Sequence, residues 1–521
     1  MTSIRGCGKL LLTGLHPRLC LAATALQARG AAEATSAMTQ VRPLPASQIP
    51  GPRRWPVLRS LPAMHRHRLF VAGHHNTIWE ALCEQYGPIF RVDLPHQPPM
   101  VFITDADEVS HLLNQAAKNP VKPPLEALRL LRNSDKNKFV PEELGPLVDN
   151  GEQWWRVRRL VQPHVMKMNV LHYHLPQMDQ LAKKFVERLS GLLNEKHEAP
   201  ANFLQELNKC FVEGTSLISF DKWIGCMEET TEGKELMDAI QTVLQITVQD
   251  QFNFILRIWH WFSTPTYKRL KKAHEVIQQF AEEAINKTLT TIERENISSN
   301  MEEVSLLTKL LLTPGLKRTD VYAFLMDFTI AAIDNTSNTV SNTLYYLATN
   351  PDIQLKVHQE LDEVVGKSCS TLTQHHLARL TYLKATIKES LRLIPVSTFL
   401  LRSAVKDIVL SGYLVPEGFN VAVILQPMGM NEKYFPQASQ FQPERWLRDQ
   451  GKNYHRYASL PFGFGTRMCI GRRIAEQEMN IFLCRLLQKY QVEWKDESLN
   501  AKGTLVSSSH EALKFTFTER A

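Results

Sequence analysis

The chain has 521 residues, 44% hydrophobic and 22% charged, an ordinary globular composition with material for a large core. Its formal charge of +7 is concentrated at one end: residues 1–42 hold Arg5, Lys9, Arg18, Arg29 and Arg42 against Glu33 alone, and the +3 left elsewhere gives no argument for nucleic-acid binding. Eight scattered cysteines with no CxxC pair fit a reducing compartment and argue against a zinc ribbon or disulfide framework, and no run of about 20 apolar residues offers a membrane-spanning helix.

In chain order, residues 1–42 are rich in Arg, Ala, Leu, Ser and Thr and nearly free of acid, the composition of a mitochondrial transit peptide. Residues 43–58, containing PLPASQIPGPRRWP, read as a proline-rich hinge into a folded domain over 59–521. From there the apolar spacing of three and four predicts a mainly α protein. The smaller β-rich part begins with a hairpin over 88–104, at the edge of a small sheet. A central helix of about 29 residues is predicted from an N-cap at Thr319–Asp320 to the Asn350–Pro351 stop, with the polar run AAIDNTSNT at its middle. Further strands are expected over 401–425, and a terminal hairpin in GTLVSSSHEALKFTF.

Chemistry concentrates in FGFGTRMCIG (462–471), which precedes a helical run. A helix N-terminus and nearby arginines lower a cysteine's pKa, and glycines bring backbone N–H groups close to the sulfur. The pattern Phe462-x-x-Gly465-x-Arg467-x-Cys469-x-Gly471 resembles the signature of the cytochrome P-450 superfamily, the haem-thiolate monooxygenases. The resemblance extends over roughly 45–521. It implies the family fold, with the long central helix over the cofactor, and haem b held by Cys469 as axial thiolate.

Other stretches follow in the family's order. KESLRL and FQPERW supply Glu389, Arg392 and Arg445, similar to the structural Glu–Arg–Arg triad. GEQWWRVRR supplies Trp154 and Arg158, which with Arg402, Phe462 and Arg467 are expected around the haem and its two propionates; Trp155 and Arg159 share the same spacing as the first pair. In AAIDNTSNT, Asp334 matches the family's acid, but Asn335 stands where the proton-relaying threonine belongs and Thr336 follows it. Either Asn335 substitutes, or a π-bulge swings Thr336 into the site. Family members lacking that threonine include enzymes that rearrange peroxides.

Lys384 and Lys388 match the lysines with which the mitochondrial branch docks an acidic [2Fe–2S] ferredoxin, itself supplied by a ferredoxin reductase. The resemblance further implies dioxygen as co-substrate, a matrix-side location and peripheral association with the inner mitochondrial membrane. Phe324, Phe399, Leu400, Leu505 and Val506 are expected to line an apolar pocket. A sterol or steroid-hormone precursor of ecdysteroid type is the leading substrate expectation. A xenobiotic monooxygenase and a peroxide isomerase are the alternatives.

Overall fold

The computed structural model describes residues 42–66, 75–134, 144–252, 263–298, 301, 303–367, 369–448, 454–495, 501–502, 508–509 and 513–520. The 1–42 leader therefore lies outside the described residues except for Arg42, as do Leu505 and Val506. No helix among the described residues is long and apolar enough to cross a membrane.

The body is helical. Its principal members are α1 (Glu126–Ser134), α2 (Gly151–Val165), α3 (Met168–Leu192), α4 (Phe203–Phe220), α5 (Thr231–Phe252), α6 (Pro265–Glu295), α7 (Arg318–Thr349), α8 (Thr381–Leu393) and α9 (Arg472–Lys489). The central helix α7 packs against α4, α6, α8 and α9, so most of its length is buried. Its apolar residues Val321, Leu325, Ile330, Ile333, Val340 and Leu344 join one large core. The helix starts earlier than the N-cap reading places it: Lys317 is the cap, and the Asp320 carboxylate accepts its N–H at 2.8 Å from the first turn. A carboxylate there satisfies an otherwise free helix donor and complements the positive end of the dipole.

The β-rich part centres on a four-stranded sheet of β1 (Ile89–Val92), β2 (Met100–Ile103), β3 (Phe399–Ser403) and β4 (Asn420–Ile424), in the order β1-β2-β4-β3. The 88–104 hairpin forms as the sequence predicts, Ile89 opposite Ile103, with β1 at the edge. The C-terminus forms the predicted hairpin in part: residues 501–502 and 508–509 pair antiparallel, but the phenylalanine-rich end of the stretch goes elsewhere. The last strand, β6 (Phe515–Glu519), pairs antiparallel with β5 (Tyr490–Trp494) instead of a neighbour in sequence. Phe515 and Phe517 are fully buried and pack on the rings of Phe203, Tyr490 and Trp494; a local hairpin would leave them in water.

Candidate active site

Cys469 sits in the loop before α9. Gly463 and Gly465 take φ of +70° and +74°, angles that a side chain disfavours, and so turn the loop back on itself. The Cys469 N–H then donates to the Phe462 carbonyl at 2.8 Å. The loop lies against the central helix: a Cβ on Gly471 would stand 3.3 Å from Phe328 Cε2.

The sulfur faces an opening inside the protein. The side chain of Cys469 is accessible to a water-sized probe, yet protein encloses it closely enough that burial raises its thiol pKa. Opposing that rise are the Gly471 N–H and the charges of Arg158, Lys122 and Arg472. Asn335 behaves likewise. It is exposed in the middle of the buried helix α7, on the face shared with the half-buried Ala331 and Ala332, four and three residues back.

Four cations converge on this opening. Arg467 lies 4.4 Å from the Trp154 ring and donates to the carbonyls of Asp149 at 2.7 Å and Pro120 at 3.3 Å. Arg158 donates to the Met468 carbonyl at 2.7 Å, next to the cysteine. Arg402, 1% exposed on β3, keeps a buried Nε with no hydrogen-bond partner among the described residues. Burial lowers the pKa of all three guanidiniums, and for Arg467 repulsion from Arg402 and Arg158 adds to it.

Lys122 is the fourth cation, and no motif reading found it. Asn150 clamps its backbone from both sides: Oδ1 accepts the Lys122 N–H at 2.9 Å and Nδ2 donates to its carbonyl at 3.1 Å. Burial, then repulsion from Arg467 and Arg402, lowers the ammonium pKa to about 7.

Trp154 and Arg158 are buried, while Trp155 and Arg159 are exposed, so the first of the two frames faces inward. Phe462 is half-buried, under the guanidinium of Arg472 at 5.4 Å. Helix α7 runs through the Asp334 region as unbroken α-helix, without the bulge that would swing Thr336 round. Thr336 is 3% exposed and donates to the Ala332 carbonyl at 2.9 Å. Asn335 donates its Nδ2 to the Ala331 carbonyl at 2.8 Å, which leaves its second N–H and its carbonyl oxygen for the opening. Burial raises the pKa of the Asp334 carboxyl.

Glu389 and Arg392 are fully buried, and Arg445 nearly so, with pair distances of 2.7 Å (Arg392–Glu389) and 3.1 Å (Arg445–Glu389). Lys384 and Lys388, one turn apart on α8, are exposed beside this triad. The expected pocket residues scatter. Phe324 is buried in the helical core beside Phe328, and Phe399 packs edge-on to Trp79 and Phe102. Leu400 approaches the cysteine loop, 3.5 Å from where Gly463 would carry a Cβ.

A thiol at the floor of an internal opening, with four cations and an orphaned guanidinium N–H at its edge, suits a large, flat, doubly anionic cofactor bound through a soft ligand. The comparisons agree. The family model for cytochrome P450 matches residues 49–514. The chain belongs to that family and is a haem-binding monooxygenase, its cofactor held through a cysteine thiolate. Among its relatives, the Drosophila melanogaster "Probable cytochrome P450 301a1, mitochondrial" is 30% identical over 91% of this chain and 87% of its own length. "Cytochrome P450 302a1, mitochondrial", from the same organism, is also 30% identical, over 89% of this chain and 93% of its own. The Musca domestica "Cytochrome P450 CYP12A2" is 30% identical over 84% and 85%.

Proposed function

We propose that this protein is a mitochondrial monooxygenase that hydroxylates a lipophilic substrate, a sterol or steroid-hormone precursor before all others, using dioxygen and electrons from a [2Fe–2S] ferredoxin. The observation that carries the electron route is the exposed pair Lys384 and Lys388 on α8. It lies beside the start of α9, where the charge of Arg472, three residues beyond Cys469, depresses the pKa of Lys388 after burial. Such charges steer and orient an acidic partner, and their effect falls with salt. Relatives named mitochondrial and the acid-poor leader over 1–42 support the location. Exposed Trp55, Val57 and Leu58 among Arg53, Arg54 and Arg59 suit a peripheral contact with the inner membrane.

Haem held by Cys469 would supply the activation of dioxygen, with Trp154, Arg158, Arg402, Arg467 and Lys122 as the groups that hold its carboxylates. Asp334 and Asn335 are the proton-handling pair of this reading. Asn335, pinned by its bond to Ala331, can hold a water but cannot ionise as a relay. Thr336 is turned away.

The test is an optical titration of the haem-loaded protein lacking residues 1–42 with sterols, ecdysteroid precursors and lipophilic xenobiotics, followed by turnover with ferredoxin and its reductase. A Soret shift at low sterol concentration and ferredoxin-dependent product support the reading. A shift with diverse foreign compounds alone makes it a detoxifying enzyme. One observation favours a second reading: Asn335, with free donor and acceptor positions toward the opening, suits a peroxide isomerase that needs no ferredoxin. Conversion of a fatty-acid hydroperoxide without reductase would establish it.

A further inference from the structure

A buried ion pair on the central helix carries the chain segment that leads to the cations of the opening. Arg132, on α1, meets Asp327, on α7, with Nη2 2.7 Å from Oδ1, and both side chains are only 4% exposed. Arg132 uses its other two nitrogens as well. Nη1 donates to the Leu144 carbonyl, and Nε donates to Nε2 of His274, on α6, at 3.3 Å. Burial and the guanidinium lower the His274 pKa to about 3, so the imidazole stays neutral and can accept. Asp327 Oδ2 accepts the Leu147 N–H at 2.7 Å. One partner of the pair thus grips the segment at Leu144 and the other at Leu147. Gly145, between them, takes φ of +91°, and a Cβ there would stand 2.6 Å from Asp327 Oδ2 and 2.8 Å from Arg132 Nη1. Only a residue without a side chain lets the segment seat on the pair.

From Leu147 the chain reaches the opening within three residues. Asp149 Oδ2 closes a turn on the N–H groups of Leu144 (3.2 Å) and Gly145 (3.0 Å), and its carbonyl accepts from Arg467 at 2.7 Å. Asn150 clamps the backbone of Lys122 and caps α2, which carries Trp154 and Arg158. Apolar packing could stabilise such a junction as well as a buried ion pair does, so the geometry that the pair fixes explains it better. We propose that Asp327 and Arg132 are positioning residues for the haem carboxylates: they seat segment 144–150 as a strap, and the strap places Arg467 and Lys122 at the opening. The pair acts through the strap and needs no contact with the cofactor. This inference rests on the cradle role proposed above for Lys122 and Arg467.

The experiment measures haem transfer from the loaded protein to excess apomyoglobin, with the reduction potential of the haem as a second readout. Asp327→Asn keeps the side-chain shape and removes its charge, while Gly145→Ala changes no charge and lifts the strap off the pair. Each is expected to release haem about tenfold faster than the parent, the usual scale for a residue supporting a ligand from behind. Adding Lys122→Met to either should change release less than Lys122→Met does in the parent, because the lysine is already displaced. The potential of Gly145→Ala is expected to fall, since cations that favour the added electron have moved away. Release factors that simply multiply, with an unchanged potential, would assign the pair to fold stability alone and overturn the proposal. Faster release from Lys122→Met with parental release from Asp327→Asn and Gly145→Ala would overturn the strap and leave the cradle standing. Parental release from both Lys122→Met and Arg467→Gln would overturn the cradle, and the strap with it.

Discussion

Replacing Glu389 by Gln puts the buried triad to a quantitative test. The carboxylate is fully buried and accepts from Arg392 Nε at 2.9 Å and Nη2 at 2.7 Å, Arg445 Nε at 3.1 Å, Trp446 Nε1 at 2.8 Å and the Gln442 N–H at 3.0 Å. An amide of the same shape keeps one acceptor, turns two N–H groups toward existing donors and leaves two guanidiniums without counter-charge. Breaking a buried pair from one side costs about 3–5 kcal/mol, against a total stability of about 5–15 kcal/mol for a folded domain. The loss would fall first on the 429–446 segment. Arg392 also donates to the carbonyls of Gly429 (2.7 Å), Ala438 (2.7 Å) and Gln440 (3.0 Å), stitching that segment to α8. Gly429 sits so close that a Cβ would meet the Arg392 carbonyl oxygen at 2.5 Å. Haem content is read from the ferrous–CO difference spectrum, and kinetic stability from the half-life of that signal on warming. Glu389→Gln is expected to lose most of its thiolate-ligated haem and to shorten the half-life at least about tenfold, since about 1.4 kcal/mol corresponds to a factor of ten. Parental values of both would refute the reasoning.

Three further outcomes are expected. Lys122→Met should release haem to apomyoglobin faster than the parent, and Lys122→Arg should not; equal rates for Met and parent would remove Lys122 from the cradle. Asn335→Thr should raise product formed per electron consumed if dioxygen chemistry needs a hydroxyl there, and unchanged coupling would count against the relay argument. Glu478 gives a pH dependence. Burial raises its pKa from 4.5 to about 8, and its Oε1 has no hydrogen-bond partner among the described residues. The folded protein therefore keeps a proton that the unfolded chain releases above its ordinary pKa, so this group's contribution to stability falls by about 1.4 kcal/mol per pH unit between those two values. Glu478→Gln should flatten the decline of thermal stability toward pH 8, and an unaltered slope would exclude the assignment.

What the sequence reveals depends on how local the signal is. Cys469, Arg467 and their glycines lie within ten residues, and the loop geometry follows from that spacing. Glu389 and Arg392 are neighbours on one helical turn. Lys122 carries no such signal. It is a lysine in a proline-rich stretch, and only the side chain of Asn150, 28 residues on, brings it to the opening. The pocket residues illustrate the reverse problem. Phe324 and Phe399 are as apolar as any cavity residue, and the side on which Phe399 packs is set by Trp79 and Phe102, about 300 residues earlier in the chain. The final strand chose Tyr490–Trp494 for the same reason: burying two phenylalanines outweighs the short loop of a local hairpin.

The proposed cradle for the haem carboxylates has a consequence for proton uptake. Haem brings two carboxylates and the cysteine a thiolate, three negative charges at most, while Lys122, Arg158, Arg402 and Arg467 offer four positive ones. Arginine does not give up its proton in a protein, so any adjustment falls to the lysine. Before the carboxylates arrive, its pKa near 7 means that much of the protein carries Lys122 neutral at neutral pH. Once they are in place, opposite charge pulls the ammonium back to its protonated form. Haem capture is then linked to proton uptake, and affinity falls as pH rises from the free-state pKa toward the loaded one. An arginine at 122 would abolish that dependence. Comparing haem retention of the parent and Lys122→Arg across neutral to alkaline pH separates a tunable cradle from one that only needs a fourth positive charge.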